Sequence, residues 1–260
     1  MISVRYINQQ DWQKVASDPA ALLSDLESES VFIVRGYLAA ESCDQIRSDC
    51  QNFAKANGPT WSPLLNDCPD YYRIHNHYPN AHVKTVQNGW YFHTWNNKFA
   101  EIFAMPGIAE LFELKQRLGG LADESFLTNK ADMGPVARMV VHQYPRGGGG
   151  QEQHIDPVSN FARCQTVIQA SSPGVDYQSG GFFVRDSSGA VTELDELTKK
   201  GDLVVVSPGV RHGVSAIDSD ADLSWDSSDG RWIIMPMILL SDHFADTAER
   251  PKKVVTHGSR

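Results

Sequence analysis

Gln153-His154-Ile155-Asp156 sets an imidazole and a carboxylate two residues apart. On a strand, residues i and i+2 share a face, so the two groups are presented together. A second imidazole, His212, comes much later, in Pro208-Gly209-Val210-Arg211-His212-Gly213-Val214. Two histidines and one carboxylate can cap one triangular face of an octahedral divalent metal and leave three positions open. A chelating cosubstrate could take two of these and dioxygen the third. An HxD pair alone carries little weight, because such pairs recur by chance on surface loops. What adds weight is the order: strand, glycine run (Gly147 to Gly150), HxD, strand, proline turn, histidine. Arg231 then opens the last long apolar run, Gly230-Arg231-Trp232-Ile233-Ile234-Met235.

The elements that must position these groups fall into two textures. From about residue 136 the pattern is of short strands, expected at 136–144, 164–170, 181–184, 203–207, 213–217 and 232–240, with Gly, Pro, Asp and Ser clusters between them. Short strands at such spacing indicate a sandwich or barrel. Residues 1 to about 125 read as mostly helical with one strand, Val31-Phe32-Ile33-Val34. Asp18-Pro19 is a helix start, with Asp as N-cap and Pro at the first helical position. Cys43, Ile46, Cys50, Phe53 and Ala54 recur at helical spacing before Gly58-Pro59. A further helix from near Pro106 carries Ile108, Leu111, Phe112, Leu114 and Leu118 on one face and ends at Gly119-Gly120. Residues 218–230 mimic the opening of a calcium loop with Asp218, Asp220 and Asp222. Leu223 stands where that loop needs Gly, and Asp229 where it needs Glu, so the segment reads as a solvated insertion between strands.

Composition narrows the class. A chain of 260 residues with 41% hydrophobic and 21% charged residues can bury its own core as one domain. No apolar run approaches the ~18 residues of a spanning helix, and the first residues lack a signal peptide's apolar stretch, so no membrane association is expected. A net charge of −9 disfavours nucleic acid, whose phosphates need a basic face. Cys43, Cys50, Cys68 and Cys164 form no CxxC pair, which points away from a disulfide scaffold or zinc knuckle and towards the reducing cytoplasm.

The residues from 136 onward resemble the Fe(II)/2-oxoglutarate-dependent dioxygenases, and within them the prolyl-4-hydroxylase-like branch. Met139-Val140-Val141-His142-Gln143-Tyr144-Pro145, the Gly-rich turn, His154-Ile155-Asp156 and Arg163-Cys164-Gln165-Thr166-Val167-Ile168 follow the order of that branch. The resemblance is strong over 136–240, faint over 30–58 and absent over 60–130. It implies a mainly β chain with α elaboration: a double-stranded β-helix (jelly-roll, cupin-like) core over 131–245, N-terminal helices within 1–130 packed on it, and a tail at 246–260. It implies that His154, Asp156 and His212 hold Fe(II), and that Arg231 pairs with the distal carboxylate of 2-oxoglutarate, which a guanidinium fork suits. Tyr144 and Thr166 match positions lining the cosubstrate pocket. One departure is that the basic residue usually follows the distal histidine more closely; the 218–230 insertion accounts for the longer gap to Arg231. The implied reaction consumes O2 and 2-oxoglutarate, releases succinate and CO2, and oxidises an unactivated C–H. Related halogenases lack the carboxylate that is Asp156 here, so hydroxylation is the expected outcome.

Residues 71–97 interleave polar and aromatic side chains outside the expected barrel strands. They are expected to fold over the metal and contact a small-molecule substrate, such as an amino acid or natural-product intermediate, with Arg73, Trp90, Trp95 and Asn96 as candidates. Aromatic density is as readily core as binding surface. Three alternatives stay open: a protein prolyl or other residue hydroxylase, a non-catalytic small-molecule-binding barrel, and a cupin-like metal isomerase or hydrolase. The oligomeric state is not legible.

Overall fold

The computed structural model describes residues 1–77, 83–121, 125–160 and 162–245; the expected tail lies outside the described residues. In chain order the elements are β1 (Ser3–Ile7), α1 (Gln9–Ala16), α2 (Pro19–Glu27), β2 (Ser30–Val34), α3 (Ala40–Asn57), β3 (Tyr71–Asn76), β4 (Thr85–His93), α4 (Asn97–Phe103), α5 (Ile108–Gly119), β5 (Val136–Pro145), β6 (Gly149–His154), β7 (Gln165–Gln169), β8 (Gly181–Arg185), β9 (Val191–Glu193), β10 (Leu203–Val206), β11 (Arg211–Ile217) and β12 (Gly230–Leu239).

The last eight strands make the jelly roll. Pairings β10–β7–β12–β5 form one wall and β6–β11–β8–β9 the other, every pair antiparallel. The sheet continues beyond them: β2 pairs β10, β1 lies parallel to β2, and β4 bridges the walls by pairing both β5 and β6. Alternation sorts the side chains. Val167, Val204, Tyr144 and Ile233 pack between the walls. Ile168, Val205, Trp232 and Ile234 point the other way, into the core shared with the helices.

The helical expectations hold in detail. Asp18 caps α2 by accepting from the Ala21 N–H, and Pro19 is its first residue. Gly58 follows α3 at φ 65, a value favouring glycine. All five apolar positions expected on α5 are buried. The expectation of one N-terminal strand is corrected: β1, β2, β3 and β4 all precede the jelly roll. β3 and β4 escaped because they carry Arg73, His75, Gln87, Asn88 and His93. Gln87, Asn88 and His93 are buried and bonded; Tyr72 donates to Asn88, and Asn88 donates to Gln143. Hydropathy misreads strands whose polar groups are satisfied inside. The 218–230 segment does join β11 to β12 and is mostly exposed, but its backbone is tied down. Gln143 donates to the carbonyls of Ser227 and Asp229, and the Trp232 indole to that of Ser228.

All four cysteines are buried free thiols. No helix among the described residues is long and apolar enough to cross a membrane.

Candidate metal centre and its cavity

His154 ends β6, Asp156 follows in the next loop, and His212 is the second residue of β11. The β6–β11 register pairs His212 with His154, so adjacent strands bring the imidazoles together at 4.3 Å between ring centres. One ligand atom from each of the three residues lies within 4.8 Å of the others. His154 Nε2 is 3.6 Å from Asp156 Oδ1, and His212 Nε2 is 3.4 Å from Asp156 Oδ2.

The backbone fixes the tautomers. His154 Nδ1 lies 2.8 Å from the Glu152 carbonyl, and His212 Nδ1 lies 2.7 Å from the Val210 carbonyl. A carbonyl oxygen only accepts, so each Nδ1 carries the proton. Each Nε2 lone pair is left facing the carboxylate. This is how proteins orient metal-binding imidazoles, with the far nitrogen anchored and the near one free to donate electrons. The donor set fits a divalent metal. Gln165, the first residue of β7, donates its amide to Asp156 Oδ2 and lies 3.5 Å from His212 Nε2. An amide N–H cannot bind a cation, so Gln165 steadies the carboxylate and is not a fourth ligand.

The three residues line a cavity of about 500 Å³ that runs along β12. Arg231 stands at one end of that strand, opposite Tyr144 on β5. It is 1% exposed. Its Nε and Nη2 donate to the two oxygens of Asp195, at 2.6 and 3.0 Å, while Nη1 has no partner. Burial alone would lower the guanidinium pKa; Asp195 more than offsets this and raises it. Tyr177 and Arg231 thus both donate to Asp195, and Gln169 donates to Tyr177. Tyr144 lies under the guanidinium, 5.6 Å from ring centre to Arg231 Cζ, and donates to Gln151. Burial raises its phenol pKa far above neutrality, so it remains a donor. Nη1 is thus a buried donor without an acceptor on a residue that lines the cavity, and a ligand carboxylate would provide one.

Thr166 lines the cavity at a different place. Ile233 opposes Gln169 in antiparallel register, so Thr166 falls level with Pro236, well along β12 from Arg231, and on the helix-facing side. The structure therefore does not group Thr166 with Arg231 and Tyr144.

Arg73, Trp90, Trp95 and Asn96 do not line the cavity. Where residues 71–97 are expected to fold over the metal, β3 and β4 instead extend the sheet wall. Trp90 is buried, stacked between Tyr72 at 5.1 Å and Trp232 at 5.0 Å on the helix-facing side. Trp95 donates to the Cys68 carbonyl at 2.7 Å and stacks on His93. Asn96 donates to Cys68 and Asp70, and Arg73 lies opposite Gly89 on β4. Large rings here fill the core, the alternative that aromatic density left open.

Four positions that line the cavity or hold its residues went unread in the sequence. His142 lines the cavity and lies two residues before Tyr144, so strand alternation could have found it. Gln165 could have been found by alternation with Val167. Asp195 sits in Glu193-Leu194-Asp195-Glu196, which reads as a solvated acidic run. Lys115 sits on the otherwise apolar face of α5.

No family model matches the sequence, and no curated protein is similar to it in sequence. Solved structures similar to it in fold are 2OG-Fe(II) oxygenase family proteins, prolyl-4-hydroxylases among them. One is a prolyl-4-hydroxylase of Pseudomonas putida, 14% identical, with 85% of this chain and 97% of that one covered at a TM-score of 0.50. Another is a 2OG-Fe(II) oxygenase family oxidoreductase of Burkholderia pseudomallei, 10% identical, with 93% and 98% covered at 0.49. A third is a Trichoplax adhaerens prolyl hydroxylase in complex with a hypoxia inducible factor peptide fragment, 13% identical, with 92% and 97% covered at 0.48. At these identities the likeness is one of fold.

Proposed function

We propose that the chain is an Fe(II)- and 2-oxoglutarate-dependent oxygenase that hydroxylates an unactivated C–H of a small molecule. The observation that carries this is the pair of backbone-anchored imidazoles whose Nε2 atoms converge on Asp156, in a cavity that also holds a buried guanidinium with a spare N–H. His154, Asp156 and His212 would hold the ferrous ion. When bound with 2-oxoglutarate and O2, it supplies the oxidative decarboxylation that yields succinate and CO2 together with oxidation of the substrate.

The chain's own residues do the rest. Arg231 Nη1 takes the distal carboxylate of the cosubstrate. Asp195 and Tyr177 hold the guanidinium in place, and Tyr144 closes the pocket beside it. Gln165 orients the Asp156 carboxylate. The walls beyond, among them Val167, Phe182, Ile233 and Met235, exclude water around the reacting C–H. A concave, mostly apolar space of this size suits a small molecule. Four buried thiols without a disulfide support a reducing compartment such as the cytoplasm.

The test is anaerobic addition of Fe(II) and 2-oxoglutarate, which should give a weak visible charge-transfer band that is lost in His154→Ala and Asp156→Ala. Admission of O2 should then form succinate. No band and no succinate would overturn the reading in favour of a binding barrel.

A further inference from the structure

The cavity continues past the metal-side residues into a seam in the sheet. β12 pairs with β5 along its whole length, but with β7 only at Ile233 and Ile234. The cause is readable in the sequence. The Trp232 carbonyl accepts from the Ala170 N–H, so at period two Ile234 and Pro236 also turn their backbone groups towards β7. Pro236 has no N–H to offer there, and the ladder stops. Beyond this point residues from both faces of the two strands, Thr166 and Val167 with Pro236 and Met237, line one continuous space.

That space leads to Lys115 on α5. Lys115 is 7% exposed, and its Nζ donates to the Cys164 carbonyl at 2.9 Å. No carboxylate among the described residues pairs with it. An ammonium carries three donors, and one removed from water without a counter-ion is costly. Burial lowers its pKa accordingly. Cys164, Pro236, Ile238 and Leu240 line the cavity with it, as does Thr166, two residues after Cys164, whose Oγ1 is buried without a partner. A cation and an unanswered hydroxyl thus belong to the lining of the same mostly apolar cavity as His154, Asp156 and His212.

We infer that the seam is an anion subsite: Lys115 and Thr166 take the carboxylate of a ligand whose remaining skeleton is apolar and lies along the cavity towards the three metal-side residues. That this ligand is the oxidised substrate rests on the oxygenase reading; the subsite itself does not. An apolar monocarboxylate answers every feature at once. Its charge pairs with the ammonium, its second oxygen gives the hydroxyl an acceptor, and its chain covers the aliphatic walls. A neutral ligand leaves the ammonium unpaired. A ligand with a further polar group along the skeleton would bury that group among Ile238 and Leu240 without a partner.

The experiment uses the full chain without iron or 2-oxoglutarate, so that it does not depend on turnover. Octanoate and 1-octanol are titrated by calorimetry into the parent, Lys115→Met, Lys115→Arg and Arg231→Met. Octanoate should bind the parent at least about tenfold more tightly than octanol, as a charge-assisted hydrogen bond allows. Lys115→Met should abolish that preference while leaving octanol binding unchanged. Lys115→Arg and Arg231→Met should retain it. Equal binding of octanoate and octanol, no binding of octanoate, or a preference that survives Lys115→Met would overturn the subsite. A preference lost in Arg231→Met alone would also overturn it, by placing the carboxylate at the cosubstrate end. Failure of the oxygenase reading would show separately, in the charge-transfer and succinate measurements.

Discussion

Arg231 has a partner already, and this shapes what its removal does. Breaking a buried ion pair from one side strands the other charge, at a cost of roughly 3–5 kcal/mol. Arg231→Met is therefore expected both to raise the 2-oxoglutarate requirement and to lower stability in denaturant. Arg231→Met with Asp195→Leu removes both charges and should regain most of the stability without regaining cosubstrate affinity. Were affinity to return as well, the guanidinium would not be the anchor. A second residue-level prediction concerns pH. Burial, then the charges of His75, Arg138 and Arg231, pushes the His142 pKa down to about 3. Burial, then Arg73, pushes His75 down to about 4. Both stay neutral in the folded chain, whereas the unfolded chain takes up these protons below its ordinary 6.5. The unfolded state binds more protons in that window, so stability is full above pH 6.5 and falls with pH towards 4. A His75→Gln/His142→Gln variant should lose less melting temperature between pH 6.5 and 4 than the parent. Equal slopes would mean that other groups govern acid sensitivity.

The first glycine of the run before the metal-side histidine is explained by a segment outside the donor set. Gly147 has φ +87, and a Cβ there would meet the Leu223 backbone nitrogen at 2.4 Å, because the 218–230 segment lies against the β5–β6 turn. Gly148 has φ +108 and open space around its Cβ position. Gly147→Ala and Gly148→Ala both strain the backbone, at about 1–3 kcal/mol. Only Gly147→Ala should also raise amide exchange across 218–230. If the two variants loosen that segment alike, the close approach has no role. The same segment shows where sequence reading works and where it stops. Six of the eight jelly-roll strands were legible, β5, β10 and β12 because they are apolar runs with turn residues at their ends; β6 and β9, short and largely polar, were not read. The HxD pair and His212 were legible from their order along the chain; the expected strand parity does not place Asp156, which lies in the loop after β6. The β3–β4 pair was not, because Asn88 and His93 look solvent-bound until the partners that satisfy them, Tyr72, Gln143 and Asp70, are known. Asp195 was illegible for the same reason. An acidic residue in a short turn acquires its meaning only when β12 brings Arg231 across to it.

At the scale of the whole molecule, the metal-side cluster reports on completion of the fold. His154 and Asp156 come from the end of β6 and its following loop, and His212 from β11, more than fifty residues on in sequence. Nothing local brings them together. The β6–β11 register does, and it exists only once the second wall is assembled. A divalent ion should therefore bind the folded chain far better than the unfolded one. By linkage, metal at a hundred times its dissociation constant adds about 2.7 kcal/mol. For a chain of this size that corresponds to a rise of several degrees in Tm. Anaerobic Fe(II), or Mn(II) as a redox-quiet stand-in, should produce this rise in the parent and not in His212→Ala. The control is Lys115→Met, which lies outside the donor set and should still show it. The sign of the His212→Ala effect without metal distinguishes two roles for the imidazole. A structural histidine bonded to the Val210 carbonyl would destabilise the metal-free chain when lost. One kept for its free Nε2 would leave that chain nearly as stable as the parent and remove only the metal-dependent increment.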